Sequence, residues 1–365
     1  MDHPTPEHIT EALSKVIDPE LKRPVTELDM VREVRVDDGH VAVTIALTVA
    51  GCPLRSSFES QVSEHVLALP GVESVSLDFD VMSPEERAAL TTKLRGAVDG
   101  RSKGISVDAS TRVLAIASGK GGVGKSTLSV NLAAAFDRLG QRVGILDADV
   151  YGHSIPHMLG VTQRPVVVDK MIVPPVRGDL KLMSIGFFLE ENAPVMWRGP
   201  MLHRALEQFL SDVHWGELDT LVVDMPPGTG DVSISLGQLL PRAEVVVVTT
   251  PQRAAQQVAV RAAQMAQKTG MRLIGALENM SYLVGSGDEI FGSGGGEELA
   301  QAIDAPLLGK VPLDPRLREQ ADEGEPLVWA EPENETARTI LEVAETISAA
   351  AKAPGTVKKS LPLAT

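Results

Sequence analysis

The sequence predicts an α/β protein: a mostly parallel sheet flanked by helices, preceded by a small α/β domain. Three observations predict it. From Arg112 onward, apolar runs of strand length alternate with helix-length segments, the pattern of a sheet covered on both faces. Aromatics make up only 3% of the 365 residues while Ala, Val, Leu and Gly are plentiful, which suits buried parallel strands. Before Arg112 the strands alternate apolar with polar residues, so one face is wet, and glycines at 96, 100 and 104 separate the two regions. The reading is a small domain over 1–95, a linker over 96–111, a larger domain over 112–351 and a disordered tail over 352–365.

In the small domain, Thr5 and Pro6 begin a helix that carries Ile9, Leu13, Val16 and Ile17 at helical spacing. Two strands follow, the clearer marked by Val41, Val43, Ile45 and Leu47. After the turn at Gly51-Cys52-Pro53 comes a helix with Phe58, Val62, Val66 and Leu69 on one face. A third strand alternates Val75, Leu77, Phe79 and Val81 with polar residues, and Ser83 with Glu86 has capping-box spacing for another helix. Cys52, the single cysteine, excludes an intrachain disulfide framework. Its place just before a helix is where the N-terminal dipole lowers a thiol pKa, and burial as a small turn residue is the other reading.

The larger domain opens with Val113 to Ser118, an apolar run that meets Gly119-Lys120-Gly121-Gly122-Val123-Gly124-Lys125-Ser126-Thr127 and then a helix. Glycines let backbone N–H groups converge on an anion, and the helix adds its positive end. Residues 119–127 fit the P-loop pattern, in which Lys125 reaches the β/γ-phosphates of a nucleotide and the Ser126 hydroxyl sits on Mg²⁺. Strands are expected at 112–118, 142–147, 219–224, 244–249, 272–278 and 307–311, with ligands at their carboxyl ends. Those ends are polar. Asp147 and Asp149 leave the second strand together, and Asp224 ends the third, placing carboxylates for Mg²⁺ and an attacking water. The loop from Met225 to Asp231 follows. Asn279 closes the fifth strand, where an amide can pair with adenine. His153 and His157, four apart without a third ligand, read as structural.

Lys120 is not required by the general pattern, and the stretch around it resembles the deviant P-loop of the MinD/ParA class. That resemblance implies a homodimer in which Lys120 crosses to the partner's nucleotide, and it gives Asp149 the water. Asp231 is the next candidate for that role. The wider order of motifs resembles the Mrp/ApbC iron-sulfur carrier family over residues 1 to about 350. It comprises the small domain with Asp18-Pro19-Glu20, the deviant P-loop, Asp147-Ala148-Asp149-Val150-Tyr151-Gly152, Trp197-Arg198-Gly199-Pro200, Asp224 to Asp231, and Glu278-Asn279-Met280-Ser281-Tyr282. It implies an ATPase that uses ATP and Mg²⁺, carries an iron-sulfur cluster and delivers it to apo-proteins. It also implies that Pro312 borders the base beside Asn279.

One departure stands out. Many members of that family carry a Cys-x-x-Cys pair where this chain reads Leu283-Val284-Gly285-Ser286-Gly287-Asp288-Glu289, so that stretch is expected to be a mobile surface segment. Cys52 is then the cysteine available for a cluster, one per subunit. A net charge of −15 argues against a general nucleic-acid binder. No signal peptide or spanning run is read, so no membrane partner and a cytoplasmic location are expected. The rival reading is a ParA/MinD-like positioning switch that carries no metal. Prolines 354 and 362 and few apolar positions in the tail weaken it, because such a switch needs a basic amphipathic terminal helix.

Overall fold

A computed structural model describes residues 4–48, 55–96, 107–150, 152–189 and 199–350. These fall into two compact units, a small one of residues 1–104, 165–174 and 212–214 and a large one of the remainder.

The small unit begins with α1 (Pro6–Leu13), β1 (Val31–Asp37), β2 (His40–Leu47), α2 (Arg55–Leu67), β3 (Ser74–Val81) and α3 (Pro84–Gly96). Helix α1 stops four residues short of Ile17. Pro19 disfavours helix at the residue before it, and the Asp18 carboxylate accepts the amides of Glu20 and Leu21 at 2.8 and 2.9 Å, closing a turn there. Val16 stays in the core, whereas Ile17 is exposed. Strand β2 pairs antiparallel with β1 and parallel with β3. Its Val41, Val43, Ile45 and Leu47 are buried together with Phe58, Val62 and Val66 of α2. The capping box forms as its spacing predicts: the Ser83 amide donates to Glu86 at 2.7 Å and the Glu86 amide to Ser83 Oγ at 3.1 Å.

In the large unit, β4 (Arg112–Ser118), α4 (Lys125–Arg138), β5 (Val143–Asp147) and α5 (Ile155–Met158) come first. The chain then makes a hairpin, β6 (Val166–Val168) and β7 (Met171–Val173), which lies in the small unit. Sequence reading assigned these residues to the larger domain, yet Val168, Met171 and Val173 are buried in the small unit's core. Main-chain bonds between Ile172 and both Asp212 and His214, at 2.9 and 2.8 Å, join the hairpin to the third stretch of that unit.

The large unit resumes with β8 (Val176–Arg177), β9 (Leu180–Ser184), a 3₁₀ turn over Ile185–Phe188, α6 (Gly199–Ser211), β10 (Thr220–Asp224), α7 (Asp231–Leu239), β11 (Glu244–Thr249) and α8 (Arg253–Lys268). It ends with β12 (Arg272–Leu283), α9 (Gly295–Ala302), β13 (Leu307–Leu313), α10 (Pro315–Glu323), α11 (Leu327–Ala330) and α12 (Glu335–Ala349). Among the described residues its sheet runs β13-β12-β11-β4-β10-β5-β9-β8, parallel except for the β8–β9 pair. All six expected strands are present. Strand β8 has only two residues after Pro174 and Pro175, and in β9 a buried Lys181 interrupts the apolar run, so neither carries a clear strand pattern. Buried Val, Ile and Leu from β4, β5, β10 and β11 pack against α4 and α12, as continuous apolar strands require. Strand β4 thereby holds the glycine loop at the centre of the sheet's carboxyl edge.

Candidate functional site

The loop between β4 and α4 is fitted into its surroundings by two glycines. A Cβ on Gly119 would lie 2.3 Å from the backbone of Val258 and Ala259 in α8, so only glycine lets the strand end approach that helix. Gly124 has φ +80°, and a Cβ there would lie 2.2 Å from Asn279 Nδ2. Glycine satisfies both demands at once. By contrast Gly121 and Gly122 are exposed with nothing within 4 Å of a Cβ, which leaves the middle of the loop open to a ligand.

Lys125 and Ser126 begin α4, and both reach the end of β10. Lys125 Nζ is 2.7 Å from Asp224 Oδ2, and Ser126 Oγ donates to the same oxygen at 2.7 Å. Ser129 Oγ donates to Asp224 Oδ1 at 2.6 Å. Asp147 stands in register with Asp224 on the adjacent strand β5. Its carboxylate accepts from Ser184 Oγ at 2.9 Å and from the Asp149 amide at 3.2 Å. Asp149 Oδ2 is 3.8 Å from Lys125 Nζ. Thus three carboxylates and one ammonium converge where Asp147 and Asp224 are fully buried and Lys125 and Asp149 keep only 6% and 7% of their surface exposed. Burial, and next the neighbouring Asp224, push the Asp147 carboxyl well above the usual carboxylate range, against the opposing pull of Ser184, the Asp149 amide and Lys125. Surplus buried negative charge of this kind suits a bound cation, and the oxygen-only donor set of Ser126, Asp147 and Asp224 is that of a hard one.

Lys120 is half-buried, and its Nζ donates to Gln252 Oε1 at 3.5 Å, an oxygen that also accepts from Thr250 Oγ1 at 2.9 Å. Asn279 is buried with its Nδ2 donating to the Val123 carbonyl at 2.9 Å, while its Oδ1 has no protein partner among the described residues. Pro312 is buried one residue beyond Val311, which pairs with Asn279 across β12 and β13. A proline fits there because β13 is an edge strand. Glu278, next to Asn279, accepts from the Gly296 amide at the start of α9. Consecutive residues of β12 therefore hold the phosphate loop and a neighbouring helix.

Val123 lies in the loop and Thr127 in the first turn of α4, and Ser129, Ser184 and Gln252 join the site beside the residues expected there. Ser129 was findable, since it lies three residues after Ser126 on one helical face. Ser184 was not, because its strand went unread. His153 Nδ1 lies 3.3 Å from the Val150 carbonyl. Among the described residues no group of three or more His, Cys, Asp or Glu is arranged to hold a metal ion by those side chains alone. Cys52, Tyr151, Trp197 and Arg198 lie outside the described residues. The expected mobile segment after Tyr282 is instead a compact surface turn. Strand β12 continues to Leu283, whose amide donates to the Asp288 carbonyl at 2.9 Å, and the Gly287 amide returns to Leu283 at 2.9 Å. Gly285 and Gly287, with φ +84° and +76°, supply the left-handed backbone that closes it.

A family model described as the NUBPL iron-transfer P-loop NTPase matches residues 109–348, which include every residue of this site. The chain belongs to that family. A second model, for an iron-sulfur cluster assembly protein, matches residues 6–77. An iron-sulfur cluster carrier protein of Mycobacterium tuberculosis is 51% identical over 353 residues, covering 93% of this chain and 92% of the relative. One from Bacillus subtilis is 42% identical over 313 residues, covering 84% and 88%. Among solved structures, a nucleotide-binding protein from Archaeoglobus fulgidus in complex with ADP is 36% identical, with TM-score 0.53 and coverage of 62% of this chain and 90% of its own. The septum site-determining protein MinD of Pyrococcus horikoshii, complexed with Mg-ADP, shares the fold at 23% identity and TM-score 0.51, covering 66% and 96%. This P-loop NTPase thus keeps the glycine loop, its lysine and its acidic strand ends on the fold expected for them.

Proposed function

We propose that this P-loop NTPase is a cytoplasmic ATPase that works as a homodimer and carries an iron-sulfur cluster to apo-proteins. The observation that carries the nucleotide half is the convergence of Lys125, Ser126 and Asp224 at the mouth of an open glycine loop. Amides of residues 119–127 cradle the phosphates, and Lys125 leaves Asp224 for the β/γ-oxygens. Ser126, Asp147 and Asp224 would hold Mg²⁺, which when bound would supply Lewis-acid charge stabilisation to the phosphoryl group. Asp149 orients the attacking water and accepts its proton as the bond from γ-phosphorus to ADP breaks. Lys120 exchanges Gln252 for the partner subunit's nucleotide. Asn279 and Pro312 border the base, and the unpartnered Asn279 Oδ1 is an acceptor for an exocyclic amine.

Carriage rests on relatives named as carriers at 42–51% identity, against 23% for the MinD neighbour. The cluster is cargo. All-cysteine ligation takes four thiolates, and a dimer offers two copies of Cys52, so His, carboxylate or external thiol ligands complete the set. Anaerobic reconstitution with iron and sulfide, followed by absorption spectra and an iron count on wild type and Cys52→Ala, tests this. Iron bound by wild type and lost from the variant is the expected result. A stable cluster in Cys52→Ala removes the ligand assignment, and cluster-free wild type removes carriage.

A further inference from the structure

We propose that Ser129 is a positioning residue that fixes the Asp224 carboxylate for a nucleotide-bound cation, a role that rests on the Mg²⁺–nucleotide reading above. Ser129 follows Ser126 by three residues on α4, so the two hydroxyls rise from one face of the helix. It is fully buried. Its Oγ lies 2.6 Å from Asp224 Oδ1 and 3.0 Å from the Lys125 carbonyl. A hydroxyl has one proton to donate. The shorter contact has the length of a charge-assisted O–H···O⁻ bond and the longer one does not, so the proton goes to Asp224. Bonding back to the carbonyl four residues earlier is what serine does by default within a helix. Here tertiary structure takes that proton away.

The two oxygens of Asp224 are therefore held by different kinds of partner. Oδ2 receives Lys125 Nζ and Ser126 Oγ, each at 2.7 Å, and both donors have a second task once nucleotide and cation bind. Oδ1 receives Ser129, which faces the core and has no such task. When Lys125 and Ser126 turn to phosphate and cation, Ser129 keeps Oδ1 in place and leaves Oδ2 directed into the site. Without it the carboxylate has lost the one donor that stays put, and its alignment toward the cation loosens.

The full-length chain, with ADP and Mg²⁺ as probes, tests this role. ADP affinity is measured in EDTA and across a Mg²⁺ titration for wild type, Ser129→Ala, Ser129→Cys, Asp224→Asn and the Ser129→Ala/Asp224→Asn double variant. Ser129→Ala is expected to need about tenfold more Mg²⁺ for half of the affinity gain, the effect of losing one charge-assisted bond. In EDTA its ADP affinity stays within about twofold of wild type, because no contact to the nucleotide itself is removed. Ser129→Cys keeps the volume but offers a weak donor, so it shifts the same way and supplies the reading if the alanine variant does not fold. The double variant is no worse than Asp224→Asn alone. An unshifted Mg²⁺ midpoint, a loss of equal size in EDTA, or additive losses in the double variant overturns the role. Wild type whose ADP affinity ignores Mg²⁺ overturns the underlying Mg²⁺ reading, and is recognised without any variant.

Discussion

Two buried carboxylates, Asp18 in the small unit and Asp224 in the large one, are satisfied by different partners. In the small unit, Asp18 is held by the amides of Glu20 and Leu21, two and three residues away. Glu20 sits half-buried beside it, and burial with the Asp18 charge raises its pKa to about 7. In the large unit, Asp224 Oδ2 takes its donors from Lys125 and Ser126, almost a hundred residues earlier. An amide in a turn cannot leave without unfolding that turn, whereas an ammonium or hydroxyl can rotate to a ligand. Fixed partners make structure, and exchangeable ones make a site.

Breaking the exchangeable side of this comparison has the larger effects. Asp149→Asn keeps the size of the group but removes its proton-accepting form, so turnover should fall about a hundredfold with ATP affinity retained. Steady-state hydrolysis beside a binding titration checks it, and unimpaired turnover moves the role to another residue, with Asp231 first. Lys125→Ala removes the ammonium that offsets Asp224 and, with it, the proposed contact to the phosphates. ATP affinity or turnover should drop at least tenfold, as expected for a charge-assisted contact of about 1.5–3 kcal/mol. Unchanged binding together with unchanged hydrolysis would rule out the assignment.

Lys120 separates action within one chain from action across two. Lys120→Ala should bind nucleotide as a monomer yet lose nucleotide-driven dimerisation, with a dimer dissociation constant raised about tenfold or more. Mixing it with Lys125→Ala subunits creates dimers in which one site keeps both lysines. Recovery of activity on mixing is the expected outcome, and its absence counts against action in trans.

The smallest effect sharpens the fixed side. Because the folded-state pKa of Glu20 is raised to about 7 from an ordinary 4.5, the folded chain holds this proton more tightly than the unfolded chain does. The penalty is absent below the ordinary pKa, grows as pH rises toward 7 and is complete above it. Glu20→Gln should therefore stabilise the protein by about 1–2 kcal/mol at pH 8, after allowance for partial exposure, and by progressively less at lower pH. Denaturant unfolding at pH 6 and 8 measures this, and a gain independent of pH would show that Glu20 titrates normally.

Residues 119–127, the acids ending two strands and the capping box at Ser83 were legible because each depends on local rules: positive φ, strand-then-turn chemistry, or a three-residue spacing. Phosphate-loop glycines could be named without coordinates, but only the fold showed why two of them tolerate nothing larger. Gly119 meets α8 and Gly124 meets Asn279, neither of them near in sequence. Likewise the spacing of Ser126 and Ser129 was visible, while the carboxylate they share was not.

The sequence by itself therefore determined the α/β class, the position of the phosphate loop and the strands that bring acids to it, since hydrophobic periodicity and backbone preference are properties of neighbouring residues. Tertiary structure alone decided which donors each buried acid receives, that Ser184 reaches Asp147 from a strand whose apolar run Lys181 interrupts, and that the Val166–Val173 hairpin completes the core of the small unit. Those outcomes depend on which surfaces exclude water together. A buried polar group must find its partner, and a buried apolar one its neighbours, wherever in the chain they happen to lie.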